Sequence, residues 1–330
     1  MLGSLKRIYK VICTKVNSIK NDILLLQAFI HDYYRYKETS LCHNEPFRRD
    51  KMNARMMLVG HSIEKGMSFE SKKKNWGKEK VLQLCRMIVA YMQEYPVSEE
   101  VINCLNIINA YRLDDESCKS SEVTDCIDSI LEQYHDYIQE GYAGVKDVIK
   151  PDSFDINTIL SFYKSRASVR SFSEEPLTQM EIEKVMEVAR TTPTACNRQT
   201  SRVYAITNRA KIDEILNLQL GGQGWADRAS TMFIITGCMS CFGGIFERQQ
   251  VYIDGGLFAM NFVMGLHLYG IASCFKMFVR DYQLQDKVCK LCGIPRNEVP
   301  IVIVMAGHYK NTTVKDPISH RFDYKVNIVS

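Results

Sequence analysis

Apolar residues recur at alternating spacings of four and three from Leu5 to Ile30, through Tyr9, Ile12, Val16, Ile19, Ile23 and Leu26. Such heptad spacing predicts one long helix with an apolar seam. Lys6, Arg7, Lys10, Lys15 and Lys20 lie off the seam, and no acidic residue precedes Asp22. Three fates are open to the seam: packing on its own domain, pairing with a second copy, or lying on an anionic membrane surface. The first two are the commoner. The longest apolar run, ILLLQAFI, is too short to span a bilayer. The charges are spread along the helix and not gathered ahead of an apolar core, which argues against a cleaved signal peptide.

Residues 31–50 read as a polar, aromatic connector. A helix then runs from Lys51 to Gly66, a natural C-cap. His61, Glu64 and Lys65 share one face of it, as a polar cluster more than as a metal site. Helices are predicted over 79–95, 99–112 and 121–139, the last with Val123, Ile127, Ile130, Tyr134 and Ile138 as its stripe. Residues 1–150 therefore read as an all-helical extension of unassigned role, with Gly141, Gly144 and Pro151 at its end.

From residue 151 helices alternate with strands. Strands are expected at 202–207, 230–237 and 299–307, with 271–278 partly extended. Helices are expected at FDINTILSFYKSR, 209–220 and 283–292, and GGQGW (221–225) is a loop. Val251 to Gly270 is a long apolar helix. Asp254, Asn261 and His267 within it argue for a buried spine over a membrane span. The class implied is α+β: a mixed sheet flanked by helices, preceded by the all-helical region.

The chain has 330 residues, 46% hydrophobic and 24% charged, ample for real cores. Its formal charge of +4, from 42 basic and 38 acidic residues, gives no argument for a nucleic-acid partner. Twelve scattered cysteines suit reduced thiols and a cytoplasmic setting. Cys238 with Cys241, and Cys289 with Cys292, form two CxxC pairs. Zinc ligation or dithiol chemistry would use them, but packing is the commoner role for thiols beside a strand end and on an apolar helix face. No metal site is expected.

The candidate chemistry lies between Ser165 and Thr200. Arg166, Ser168 and Arg170 form a basic, hydroxyl-bearing turn suited to phosphate. Thr178 and Glu181 have capping-box spacing ahead of Ile182, Val185, Met186 and Ala189. A polar loop with Asn197, Arg198 and Gln199 follows Pro193 and offers donors and acceptors to a heteroaromatic ring. Arg198 by itself reads as a solvated charge.

R-A-S-V-R-S-F followed by A-R-x-x-P-x-x-x-N-x-Q resembles the opening signature of the FMN-dependent nitroreductase family. The resemblance extends over roughly residues 155–330. GGQGW, the long helix ending in GIASCF, the strand ending in AGHY and the tail SHRFDYKVNIV each have a counterpart in kind. Thr200, Ser201, Ala272 and Phe275 depart from the pattern, which bears on the shape of the pocket. The resemblance implies a nitroreductase-like FMN-binding domain over 151–330. In it Arg166 and Arg321 would hold the phosphate, and Ser168 the ribityl chain or phosphate. Arg170 would sit by the N1–C2 edge of the ring. Asn197 would bond the ring or ribityl group, with Gln199 supporting that loop. Gly270, Ala272 and Ser273 would pass close to the isoalloxazine.

The resemblance also implies an enzyme in which the flavin, and no protein side chain, carries the chemistry. NADH or NADPH would be the donor and a nitroaromatic, quinone or specialised small molecule the acceptor, in ping-pong order. FMN at a homodimer interface is implied too. No G-x-G-x-x-G motif opens a strand–helix unit, as fits a nicotinamide bound transiently. The competing expectation is a non-catalytic flavin-fold scaffold whose helical half binds a protein partner or a membrane surface.

Overall fold

The computed structural model describes residues 2–73, 75–114, 120–150, 154–219, 222, 224–278, 281–322 and 326–329, with side chains from residue 16 onward. Pro151, Gly221, Gln223, part of the C-terminal tail and the side chains of Leu5, Tyr9 and Ile12 lie outside the described residues.

Helix α1 (Leu2–Thr39) is longer than the seam predicts and absorbs the first part of the expected connector, through Thr39. Its last turns are anchored. The His31 ring stacks on Tyr282 at 4.8 Å between centroids. Arg35 donates to the carbonyls of Arg296 and Glu298, and Tyr36 Oη donates to Gly244 O at 2.9 Å. Upstream, the seam residues whose side chains are described, Val16, Ile19, Ile23, Leu26 and Ile30, are all exposed.

Four more helices build the first core: α2 (Arg48–Met67), α3 (Lys78–Glu94), α4 (Glu99–Leu113) and α5 (Ser121–Gln133). Ile63, Leu84, Ile88, Leu105, Tyr111 and Ile127 meet at their centre with no exposed surface. Gly66 is not the C-cap. The helix runs one residue past it to Met67, and Gly66 is small because the Trp76 ring comes within 2.4 Å of where a Cβ would stand. α5 stops at Gln133, short of the predicted 139, and a 3-10 turn His135–Tyr137 follows.

The second half is α+β. Helix α6 (Ile156–Ser165) leads to α7 (Gln179–Ala189), whose capping box forms as expected between Thr178 and Glu181. Then come β1 (Ser201–Ile206), α8 (Arg209–Leu218), β2 (Thr231–Cys238) and α9 (Gln250–Leu268). β3 (Ala272–Lys276), α10 (Tyr282–Cys292) and β4 (Glu298–Gly307) complete the chain.

The sheet has the order β1-β2-β4-β3, and every pairing described is antiparallel. The expected mixed sheet is corrected in this respect. α9 carries the chain from β2 to β3, and β4 then inserts between these two, antiparallel to each. β2 and β3 thus run the same way without touching, a relation that alternating helices and strands cannot reveal.

Alternation sorts the strand residues. Met232, Ile234, Ile303 and Met305 face one core, against α8 and α10. Phe233, Ile235, Val304 and Ala306 face the other, against α7 and α9. Pro300 cannot donate to the ladder, and the register shifts opposite it, between Ile235 and Thr236. α9 is long and apolar enough to cross a membrane by length and composition, but Phe258, Phe262 and Leu266 pack on the sheet. It is a spine buried on one side only, because Tyr252, Ile253, Leu257 and Met260 are exposed.

A smaller cluster joins the halves: Ala54 of α2 packs with Cys238, Met239, Cys241, Phe242, Val251 and Val299.

Candidate functional site

The basic turn lies along the start of β3. Val169 N donates to Ser273 O at 3.0 Å, and Phe172 forms a bridge with Tyr309. Ala272 and Ser273 are buried. Asp316, which the sequence does not single out, organises the turn. It accepts from Ser168 N at 3.2 Å through Oδ2 and from Arg170 Nη1 at 3.0 Å through Oδ1. The Arg170 guanidinium also lies over the Trp225 ring, 5.6 Å from its centroid. Arg166 has no ion-pair partner among the described residues. Burial pushes the Cys274 thiol up, opposed by Arg170, a hydrogen bond from Ser168, and Arg166.

Gly270 closes α9 with a left-handed φ of 67°, and Ile271 N reaches back to Leu266 O at 2.8 Å. The glycine is needed for this cap. Arg321 is exposed, and its described hydrogen bond goes to Ser319 O in its own tail. No described contact brings it to Arg166.

The N-x-Q loop is built differently. Cys196, Asn197 and Gln199 have φ of 53°, 51° and 48°, three left-handed non-glycine residues within four positions. Each costs roughly 1 kcal/mol or more and persists only where its surroundings impose it. They are imposed here. Asp254 Oδ2 accepts from Ala195 N at 3.0 Å, and Thr194 Oγ1 from Gln199 N at 3.0 Å. Arg198 is the central anchor and not the solvated charge that its sequence context suggests. Its side chain is 1% exposed. It donates to Ala195 O at 3.0 Å, Cys241 O at 2.6 Å and Glu247 Oε1 at 2.6 Å, and it lies over the Phe242 ring.

With Arg198 turned inward, Asn197 and Gln199 point elsewhere, their side chains without a hydrogen-bond partner among the described residues. Gln199 lines a cavity of about 500 Å³ with Arg190, Arg202, Glu99, Glu100 and Tyr142. Asn197 lines another of about 480 Å³ with His61, Glu64 and Lys65. The helical half supplies one wall of each. Within one chain no described contact joins this loop to the basic turn. One chain therefore holds two separate constellations: a phosphate-suited turn on β3, and a strained amide-bearing loop facing the helical half.

Comparison with known proteins agrees with the motifs. Residues 163–223, which include Arg166, Ser168, Arg170, Asn197 and Gln199, match the model of the Nitroreductase family. The chain is 23% identical over 194 residues to an FMN reductase (NADPH) of Bacillus subtilis (strain 168), covering 52% of this chain and 76% of that protein. It is 25% identical over 99 residues to an FMN reductase [NAD(P)H] of the same organism, covering 30% of this chain and 36% of that protein. Among solved structures, an FMN-dependent nitroreductase of Clostridium difficile R20291 aligns with a TM-score of 0.44 at 16% identity, over 51% of this chain and 98% of that one. A nitroreductase with bound FMN from Desulfitobacterium hafniense DCB-2 aligns with a TM-score of 0.41 at 19% identity, over 53% of this chain and 100% of that one.

Proposed function

We propose that this chain is an FMN-dependent oxidoreductase with residues 151–330 as its flavin domain and residues 1–150 as a helical extension that walls the site. The observation that carries the reading is the turn itself: Val169 ties it to the start of β3, Asp316 holds Ser168 and Arg170, Arg170 lies over Trp225, and Arg166 has no ion-pair partner among the described residues. Two guanidiniums and a hydroxyl fit a phosphate, and the free amides of Asn197 and Gln199 fit a flavin ring or ribityl chain. Bound FMN would supply the hydride chemistry, taking hydride from NADH or NADPH and passing it to a small-molecule acceptor in ping-pong order.

The chain's own residues would bind and orient. Arg166 would neutralise the phosphate. Asp316 would keep Arg170 pointed along the turn, and Arg198 would hold Asn197 and Gln199 in their strained conformations. The separation of the two constellations favours a twofold homodimer, in which the loop of one protomer meets the turn of its partner. The exposed apolar face of α9, with Leu257 51% and Ile253 54% accessible, favours the same assembly. A cytosolic setting with reduced thiols belongs to this reading.

The test is the visible spectrum of the purified protein with the released chromophore identified. Release of FMN, near one per chain, followed by oxidation of NADH or NADPH with an added quinone or nitroaromatic, is expected. A colourless protein that takes up no added FMN would overturn the proposal. That outcome would favour a scaffold whose helical half binds a partner, a reading motivated by the uncovered seam of α1.

A further inference from the structure

The polar and ring contacts that hold α1 to the rest of the molecule begin at His31, on Tyr282, and continue through Arg35, Tyr36 and Glu38. Among the described residues, no hydrogen bond, ion pair or ring contact joins residues 16–30 to another element, and every one of those residues except Ala28 is exposed.

This uncovered stretch is strongly apolar. Val16, Ile19, Ile23, Leu26 and Ile30 form the seam, an arc of roughly 80° around the helix. Leu24, Leu25 and Phe29 lie outside that arc, and the accessibility of all eight runs from 46% at Ile30 to 62% at Phe29. A soluble surface rarely leaves so long an apolar strip in water. Tyr33 and Tyr34, each 59% accessible, stand beside the seam just before the docked turns. Their rings combine an apolar body with a polar tip.

Charge follows the same helix. Residues 2–21 carry five basic residues and no acidic one. By the helical period, the positions of Lys6, Arg7 and Lys10 fall on the side opposite the seam, and those of Lys15 and Lys20 flank it. A basic side, an apolar side and flanking tyrosines describe a helix that lies in the plane of an anionic lipid surface. The uncharged run from Ile23 to Ile30 rises only about 12 Å, far short of a bilayer core of about 30 Å.

A second copy of α1 suits the helix less well. In heptad register Val16, Ile23 and Ile30 take a positions, and Ile19 and Leu26 take d. Leu24 and Leu25 then fall at b and c, which face away from a partner helix whichever way it runs, so pairing leaves them wet. Lys15 at g and Lys20 at e would meet across a parallel pair as like charges. A partner helix covers one stripe, whereas a lipid boundary rises around the sides of a helix lying in it.

We propose that α1 docks the protein on a lipid surface rich in anionic lipid. The seam and the leucines beside it enter the headgroup boundary, and the five basic positions meet the anionic headgroups. The rest of the molecule stays in water, held to the end of the helix by His31, Arg35 and Tyr36. Attachment is peripheral and weakens as salt screens the headgroup charge.

The test is flotation of the intact protein with vesicles in low salt. Wild type should float with vesicles of equal parts phosphatidylcholine and phosphatidylglycerol. About tenfold less should float with phosphatidylcholine alone, and raised salt should lower the anionic binding. The double variant Ile19→Asp, Ile23→Asp should float about tenfold less, as expected for losing two apolar side chains from the boundary. Its melting temperature should match wild type, because both side chains are exposed in the protein. Lys15→Glu with Lys20→Glu keeps the apolar side and should lose the preference for anionic vesicles.

Wild type that stays below with both kinds of vesicle would overturn the proposal, and this arm needs no variant to fold. Equal flotation with the two kinds would overturn it as well. If wild type does not float and the double aspartate variant has the lower mass by light scattering, the seam belongs to a second copy. None of these readings involves FMN, so they stand or fall separately from the flavin.

Discussion

Arg198 Nη2 lies 2.6 Å from Glu247 Oε1, with the arginine side chain 1% and the glutamate 31% exposed. This pair ties the N-x-Q loop to the segment after β2. Arg198→Ala would remove the guanidinium that donates to Cys241 O and Glu247, leave Ala195 O with only the backbone N–H of residue 198, and release three left-handed residues. We expect a loss of about 2–3 kcal/mol in stability, below the fully buried figure because Glu247 is partly solvated. Arg198→Lys should recover little, since one ammonium cannot serve three directions. Urea unfolding of the three proteins decides this; equal midpoints would contradict the anchoring role.

The same pair sets an acid limit. Burial raises the Glu247 carboxyl, but hydrogen bonds from Arg198 and Gly243 outweigh it and leave the group below its ordinary value. A carboxyl depressed on folding contributes stability above its unfolded pKa of about 4.3, and loses it as pH falls through the folded value. The melting temperature should drop on acidification below about pH 4.3, and Glu247→Gln should flatten that part of the profile. Parallel profiles for the two proteins would remove Glu247 from the account.

For the basic turn, Arg166→Ala should weaken FMN binding by roughly tenfold to a hundredfold, as expected for losing a charge-assisted hydrogen bond. Asp316→Asn should act differently, by letting Arg170 swing away from Ser168. Its effect on affinity should be smaller than that of Arg166→Ala. Fluorescence titration of the stripped protein with FMN measures both. Unchanged affinity in Arg166→Ala would move the phosphate elsewhere.

The exposed face of α9 gives a prediction about assembly. Leu257→Asp puts a charge in the middle of that face without touching the sheet side of the helix. If two copies meet there, light scattering after size exclusion should find dimer for wild type and monomer for the variant. The monomer should also lose FMN, because within one chain no described contact brings the two constellations together. A dimeric variant would place the interface on another surface.

Gly66→Ala tests the helical core. The new Cβ would meet the Trp76 ring at 2.4 Å, and that ring is packed against Tyr111. The cost should be about 1–3 kcal/mol, the usual range for overpacking. Thermal unfolding reads it, and a change below about 0.5 kcal/mol would mean the ring can move aside.

Local chemistry was readable from the sequence because it acts over a few residues. Spacing placed the helices of the first half, the capping box of Thr178 and Glu181, and the strands of the second half. The basic turn and the N-x-Q loop were readable as motifs for the same reason. Three things were decided only by tertiary structure. Strand direction depends on which strand inserts between which, and β4 entering between β2 and β3 leaves no mark on local periodicity. The role of Arg198 depends on Cys241 O and Glu247, more than forty residues away in sequence, and burial by distant groups turned a surface-like arginine into an anchor. The two CxxC pairs are alike as sequence, but one lies on an α-helix and the other across a 3-10 turn beside Asn297. Hydrophobic period and turn chemistry are short-range and survive in the sequence. The pairing of distant polar groups is fixed only when the cores close around them.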